Sequence, residues 1–188
     1  MCACAQAQVI EFESNGLKYL TLTRSGITVM FAVMPNHLHE YGTMQVAVSN
    51  GSAGPYVIKP EDFTWVRSDG VQVRAAPART VVVMLSQKGN ASDVIHLITT
   101  YESAVYGNSR LKSTNGYEQR RQSALAMGST KFKAMAAASA LAFVQTKLAP
   151  GESTDGAVFF PTEGKPIGPG HLVVRTNTDV FDFTVDAP

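Results

Sequence analysis

Apolar and polar residues alternate along several short segments in the first 75 residues of the chain. In segment 27–33, an extended chain would carry Ile27, Val29 and Phe31 on one side and Thr28 on the other. This period of two residues is typical of a half-buried β-strand. The same pattern predicts further strands over 18–23, 44–49, 63–67 and 71–75. Asp69-Gly70, between the last two, predicts a tight hairpin turn because glycine tolerates a positive φ.

The middle of the chain has a different period. Apolar residues recur every three or four positions over 92–107, which predicts a helix that is capped by Ser92 or Asp93 and ended by Gly107. Segments 117–126 and 130–148 are also predicted to be helical, with a division near Gly128. Segment 80–85 fits either a strand or a short helix. Six apolar residues of the last predicted helix recur at helical spacing, so this segment is expected to be largely buried: Phe132, Met135, Ala136, Ala140, Phe143 and Val144.

Strand-like segments return over 156–161, 171–176 and 180–185. About seventy residues separate the two β regions, which is too long for a structureless loop in a compact domain. The predicted fold class is therefore mainly β with α: an immunoglobulin-like antiparallel β-sandwich that carries a helical insertion at about 79–148. We expect residues 9–188 to form this single domain. Residues 1–8 are expected to be a residual export signal or a disordered tail.

Composition and charge exclude several classes of function. The chain has 188 residues, a hydrophobic fraction of 45%, and 16 basic against 15 acidic side chains, for a formal net charge of +1. Such a balance provides no basic surface of the kind that nucleic-acid-binding proteins use, so no nucleic-acid partner is expected. The longest nearly apolar run, 134–144, is shorter than the ~20 residues of a membrane-spanning helix. No transmembrane span is predicted.

The first residues bear on the compartment of the protein. Ala3-Cys4-Ala5 and Ala5-Gln6-Ala7 both have the A-x-A form of a signal-peptidase site. We therefore predict an extracytoplasmic protein, either periplasmic or envelope-associated. Cys4 is a candidate lipid anchor because it follows Ala3. An ordinary cytosolic N-terminus is the alternative interpretation.

Candidate chemistry is sparse. His37 and His39 are candidate metal ligands because a strand would place both imidazoles on the same face. A third or fourth ligand is not evident near them, and solvent-exposed histidines are the competing interpretation. The chain lacks a G-x-S-x-G nucleophile motif and a complete phosphate-binding loop. No catalytic residue and no cofactor are predicted.

Two stretches rich in turn residues resemble a known kind of domain. The first runs from Ser49-Asn50-Gly51 through Pro60-Glu61-Asp62-Phe63 to Asp69-Gly70, and the second combines segments 148–152 and 156–161. Together they resemble bacterial extracytoplasmic immunoglobulin-like domains of the uncharacterised telokin-like lipoprotein type. The resemblance implies an envelope-associated module without an assigned activity, and no functional residue is transferred from it.

The sequence thus favours a non-enzymatic cell-envelope module that binds a ligand or an envelope protein. Two alternatives are an enzyme whose site lies at the junction of the sandwich and the helices, and a metal-binding protein that uses His37 and His39. A pocket at the junction lined by converging polar groups would favour the enzyme.

Overall fold

A computed structural model describes residues 8–106 and 117–186 of the chain. The protein is mainly β, with additional helices, and its sheets are antiparallel. The strands are β1 (Ile10–Ser14), β2 (Leu17–Arg24), β3 (Ile27–Leu38), β4 (Tyr41–Asn50), β5 (Tyr56–Ile58), β6 (Phe63–Arg67), β7 (Gln72–Arg74), β8 (Thr146–Leu148), β9 (Ser153–Pro161), β10 (Gly170–Arg175) and β11 (Val180–Val185). Four helices lie between β7 and β8 in the chain: α1 (Ala78–Lys88), α2 (Ala91–Tyr106), α3 (Tyr117–Leu125) and α4 (Thr130–Leu141).

Two sheets pack face to face through a shared core. One has five strands in the order β1-β2-β3-β4-β9 and the other has four in the order β11-β10-β6-β7, while β5 and β8 form a separate pair. Phe31 of β3 and Phe183 of β11 meet edge to face across the interface, with ring centroids 5.0 Å apart. We call this cluster the sheet core. Its largest fully buried members are Phe31, Phe63, Trp65, Phe143, Phe160, Phe181 and Phe183.

A second cluster, which we call the helix-layer core, covers the opposite face of the five-stranded sheet. It joins side chains of α1, α2 and α4, such as Leu85, Leu97 and Leu141, to Phe159 of β9. Strand β9 serves both cores because successive side chains of a strand point to opposite faces. Accordingly, its residue Phe160 belongs to the sheet core and the adjacent Phe159 to the helix-layer core.

Most of the predicted elements are confirmed. The alternating segments form β2, β3, β4, β6 and β7, the returning segments form β9, β10 and β11, and Gly70 turns with a positive φ of 85°. The ambiguous segment 80–85 is helical, within α1. No helix in the described ranges is long and apolar enough to cross a membrane. Strand β1 was not predicted.

The helix predicted over 130–148 ends early, at Leu141. The backbone N–H of Phe143 donates instead to the carbonyl of Ala157, at 2.8 Å, and the Phe143 ring enters the sheet core against Phe63. Gly156 makes this approach feasible, since a Cβ there would lie 2.6 Å from the backbone of Phe143. The chain then pairs as β8 with β5. A tertiary backbone contact has overridden the helical spacing of the sequence.

Two residues expected to be buried are exposed. Phe132 is 57% exposed, because the buried stripe of α4 runs through Ala134, Ala138 and Leu141 and leaves Phe132 outside it. Val144 is 45% exposed, because it follows the buried Phe143 in extended chain. Of the other four residues of the expected stripe, Ala140 and Phe143 are buried, and Met135 and Ala136 are partly buried.

The cap of α2 also differs from the prediction. The side-chain oxygen of Asn90, rather than that of Ser92 or Asp93, accepts the backbone N–H groups of Ser92 (2.9 Å) and Asp93 (3.1 Å). In return, the Asp93 carboxylate accepts the backbone N–H of Asn90 at 2.8 Å. This reciprocal pair is a capping box. The predicted helix stop, Gly107, lies outside the described residues.

Candidate functional site

A narrow cavity lies between the helix layer and the outer face of the five-stranded sheet. Its volume is about 30 Å³, which exceeds the roughly 10–15 Å³ that one water molecule needs. We call it the junction cavity. Its lining comprises Met34, Leu38, Thr43, Gln45 and Ala157 from the sheet, Leu97 and Leu141 from the helices, and the exposed residues Asn36, His37 and His96. The lining is therefore apolar inside and polar where it meets solvent.

An irregularity in β3 helps to form this cavity. Val33 pairs with Met44 and His37 with Gly42, so β3 has two more residues between these pairs than β4 has. Segment 34–36, which its proline and asparagine predict to be a loop, is this bulged part of the strand. Bulges redirect side chains and are common beside functional sites. Here the bulge places Met34 and Asn36 in the lining.

Gln45 is the unusual residue of the cavity. Its side chain is on the helix-facing side of β4 and is only 2% exposed. The Tyr19 hydroxyl donates to its Oε1 at 3.1 Å, across the small Ala32 that pairs with both residues. Its Nε2 atom has no hydrogen-bond partner in the part of the chain that the structure describes. A buried polar group without a hydrogen-bond partner costs about 1–3 kcal/mol.

Tyr19, which donates to Gln45, is itself buried. Burial raises the pKa of the Tyr19 hydroxyl from 10.0 to about 12, because the phenolate would lose its hydration. Tyr19 therefore stays a neutral hydrogen-bond donor throughout the physiological pH range. The Oε1 atom of Gln45 accepts this hydrogen bond, and the amide side chain is enclosed between the sheet and the helix layer.

The predicted histidine pair is separated by the turn after β3. His37 lies in β3 and lines the junction cavity, whereas His39 follows with a positive φ of 52°. The His39 Nε2 atom lies 3.0 Å from a carboxylate oxygen of Asp93, so it fastens the β3–β4 turn to the cap of α2. Among the described residues, no group of three or more histidine, cysteine and acidic side chains is placed to hold a metal ion. Cys4 lies outside the described residues.

Sequence reasoning missed Gln45 and His96. The signal for Gln45 was a lone amide in the apolar run of β4. However, the alternation of β4 places Gln45 on the face opposite the sheet core, and a protein made of two sheets alone would expose that face to solvent. Nothing in the sequence links His96 of α2 to His37 of β3, although both line the junction cavity. Their association depends on how α2 packs on the sheet.

A larger groove lies at the other sheet. It has a volume of about 570 Å³ and runs between the β6–β7 hairpin and the loop that joins β9 to β10. Arg67, Arg74 and Lys165 line it, against one lining carboxylate, that of Glu163. Arg67 is also paired with Asp69 at 2.8 Å. We call this surface the basic groove.

The junction cavity has little reactive chemistry. Its described lining contains no carboxylate, thiol or ammonium group, and its titratable side chains are the two exposed imidazoles of His37 and His96. General acid–base and nucleophilic mechanisms need such groups close to the reacting atoms.

Comparisons with family models, with curated proteins and with solved structures find no match to this chain.

Proposed function

We propose that this protein is a non-enzymatic binding domain that encloses a small, mainly apolar molecule, or the apolar end of a larger one, in the junction cavity. The observation that carries the proposal is the combination of a mainly apolar lining with a few polar side chains, those of Asn36, His37 and His96, at its exposed side. Ligand sites typically join apolar walls with a few placed polar groups. The volume of about 30 Å³ limits the enclosed part to a few heavy atoms.

Xenon tests this proposal, because it is a single atom that occupies apolar cavities without needing a specific polar contact. Titration should shift NMR signals of residues that line the cavity, such as Leu97 and Leu141. Ala157→Val, which adds volume to the lining, should weaken the response at least severalfold. The matched control is Ala53→Val, at an exposed position beyond the far end of β4. Absence of binding to the wild-type protein would contradict the proposal.

A second binding function is favoured by the basic groove. Strand β7 ends the four-stranded sheet, so an extended segment of another protein could pair with its outer edge. Arg67 is paired with Asp69, and the two remaining cations, Arg74 and Lys165, outnumber the single lining carboxylate of Glu163, which favours an acidic segment. We propose that this groove docks an extended acidic peptide of a protein partner.

The docking proposal is tested with a labelled peptide rich in Asp and Glu, measured by fluorescence anisotropy at low and high salt. Arg74→Glu should abolish binding, whereas Arg24→Glu, at an exposed position on β2, should leave it unchanged. Equal binding of a Lys-rich peptide would contradict the charge argument.

Two finer interpretations of the sequence remain proposals. We propose an immunoglobulin-like arrangement, which is supported by two antiparallel sheets with one shared core. We also propose an extracytoplasmic, envelope-associated location, supported by the A-x-A motifs before residue 8. Fractionation of cells that produce the native protein tests the location, and recovery of all the protein from cytosol would contradict it.

A further inference from the structure

We infer that the basic groove binds its acidic peptide as an added antiparallel β-strand, in which acidic and apolar residues alternate and an acidic residue lies opposite Arg74. This inference rests on the proposed docking function of the same groove, since it names the mode of binding and the sequence pattern of the partner. It starts from the backbone of β7, which forms one wall of the groove.

Two residues of β7 direct their backbone hydrogen-bonding groups away from β6. Val71 and Ala75 hydrogen-bond to the backbone of β6, at 2.9 and 3.1 Å, whereas the N–H of Ala76 donates at 2.7 Å to a carbonyl of β9. In an antiparallel pair, residues that hydrogen-bond to the partner strand alternate with residues whose groups face the other side. Gln72 and Arg74 alternate with Val71 and Ala75, so their N–H and C=O groups face away from β6. An added strand needs such an edge.

Strand β9 closes this edge at one end only. Beyond Ala76 and Phe159, which form an isolated antiparallel bridge, the next pair of the ladder would be Arg74 with Pro161. Proline has no N–H to donate, so the ladder stops there. The opposite wall of the groove, segment 161–169, contains three prolines in all. The walls are separated by a volume of about 570 Å³, and β7 is the wall that offers a regular row of backbone groups.

The pattern of the peptide follows from the side chains of β7. Residues directly opposite each other on neighbouring strands point to the same face of a sheet. A peptide residue opposite Val73 would point with it toward the sheet core, where Ile167 also lines the groove, and this favours an apolar side chain. The adjacent peptide residue, opposite Arg74, would lie beside an exposed guanidinium, and this favours a carboxylate. Acidic and apolar residues therefore alternate.

Charge favours this occupant over a second copy of the chain. Arg74 and Lys165 take part in none of the ion pairs among the described residues. Pairing of β7 with the β7 of another copy would place two cationic edges side by side, which is unfavourable. An acidic strand replaces this repulsion by attraction.

The test compares two labelled peptides of the same composition and charge, acetyl-Glu-Val-Glu-Val-Glu-amide and acetyl-Glu-Glu-Glu-Val-Val-amide. Fluorescence anisotropy should show that the alternating peptide binds about tenfold more tightly, because it alone places all its carboxylates on one side and its apolar groups on the other. Methylation of its glutamate backbone nitrogens should abolish binding, because these N–H groups would face β7. Methylation of its valine nitrogens, which would face the opposite wall, is the matched control and should leave the affinity unchanged.

An exchange of charge tests the register. Replacement of the central glutamate of the alternating peptide by lysine should weaken binding to the wild-type protein. Arg74→Glu should reverse this preference and bind the lysine-containing peptide more tightly than the parent peptide. A variant that prefers the parent peptide, as the wild-type protein should, would show that the acidic residue does not lie opposite Arg74.

A measurement on the wild-type protein removes the dependence on a variant. With the alternating peptide, amide hydrogen exchange should slow at Gln72 and Arg74 and stay unchanged at Val73, whose N–H faces β6. Equal affinities for the two isomers, equal effects of methylation at glutamate and valine, or unchanged exchange at Gln72 and Arg74 would each overturn the inference while leaving acidic docking intact. Protection of these amides at high protein concentration without peptide would assign the edge to a second copy and also overturn it. If neither acidic peptide binds, both the inference and the proposed docking function are wrong.

Discussion

The two cores of this protein lie on opposite faces of the same five-stranded sheet and are filled by different side chains. The sheet core contains seven large aromatic rings that are almost completely buried, among them Trp65 and Phe143. The helix-layer core is rich in alanine, including Ala134, Ala138 and Ala157. Large rings from two sheets interdigitate and fill the space between them. Small residues on a helix and a strand allow close approach but leave gaps, and the junction cavity lies on this side.

This difference predicts a division of roles. The sheet core should supply most of the stability, because burial of an aromatic ring removes a large apolar area from water. The helix layer should be the less stable part and the part that a ligand can enter, as is usual for binding regions. The buried polar residue Gln45 also lies on the helix side of the sheet.

The largest effect is expected at Phe143, where the chain leaves the helix layer and enters the sheet core. Phe143→Ala should lower the free energy of unfolding by about 3–5 kcal/mol, the usual range for a core aromatic residue. Urea denaturation followed by circular dichroism measures it. Phe132→Ala provides the matched control, because Phe132 is 57% exposed, and it should change stability by less than about 0.5 kcal/mol. Equal effects of the two substitutions would contradict the assignment of stability to the sheet core.

This pair of residues also shows what the sequence can predict. The strands could be identified because a period of two residues does not fit the 3.6-residue turn of a helix, and the alternation over 180–185 has the bounds of β11. Phe132, Phe143 and Val144 fit one helical stripe equally well, yet only Phe143 is buried. Local spacing could not reveal the hydrogen bond to Ala157 that ends the helical path. The site was still less predictable, since Gln45 becomes buried only when helices cover the outer face of the sheet.

The second prediction concerns pH and the polar group beside the cavity. The folded protein holds Tyr19 with a pKa of about 12, whereas the unfolded chain has the ordinary value of 10.0. The folded state therefore binds the proton more tightly, so this contribution is fully present below pH 10 and is lost as the pH rises to 12. At about 1.4 kcal/mol per pH unit, the loss amounts to about 3 kcal/mol. Chemical denaturation at a series of pH values from 9 to about 12 measures it.

Tyr19→Phe separates this contribution from those of other groups. Burial also raises the pKa values of Tyr41 and Tyr56, so the variant should still lose stability in alkali, but less steeply than the wild-type protein. At neutral pH, it should be about 1 kcal/mol less stable because Gln45 loses a hydrogen bond. An unchanged slope between pH 10 and pH 12 would show that Tyr19 is not buried as a neutral donor.

The third prediction concerns the point where the two cores meet on β9. A methyl group added at Gly156 would lie 2.6 Å from backbone atoms of Phe143, which cannot move aside as a flexible side chain could. Gly156→Ala should therefore cost about 1–3 kcal/mol, the range for overpacking. Thermal unfolding measures it. Gly168→Ala is the control, since nothing lies within 4 Å of the added methyl group and φ is not positive there. A stabilising effect of Gly156→Ala would show that the chain does not cross β9 at this position.

The smallest effect is expected within the helix layer, at the cap of α2. Asn90→Ala removes the acceptor for the backbone N–H groups of Ser92 and Asp93, and should cost about 1 kcal/mol. Helix α2 carries His96 and Leu97 to the junction cavity. The loss of stability should therefore appear first in α2, beside this cavity. Hydrogen exchange should accelerate in the first turns of α2 and remain slow in β4 and β10. Asn90→Ser, which keeps a capping oxygen, should restore most of the protection. If exchange instead increased equally in both sheets, the helix layer and the sheet core would unfold as one unit, and the division between a stabilising face and a binding face would fail.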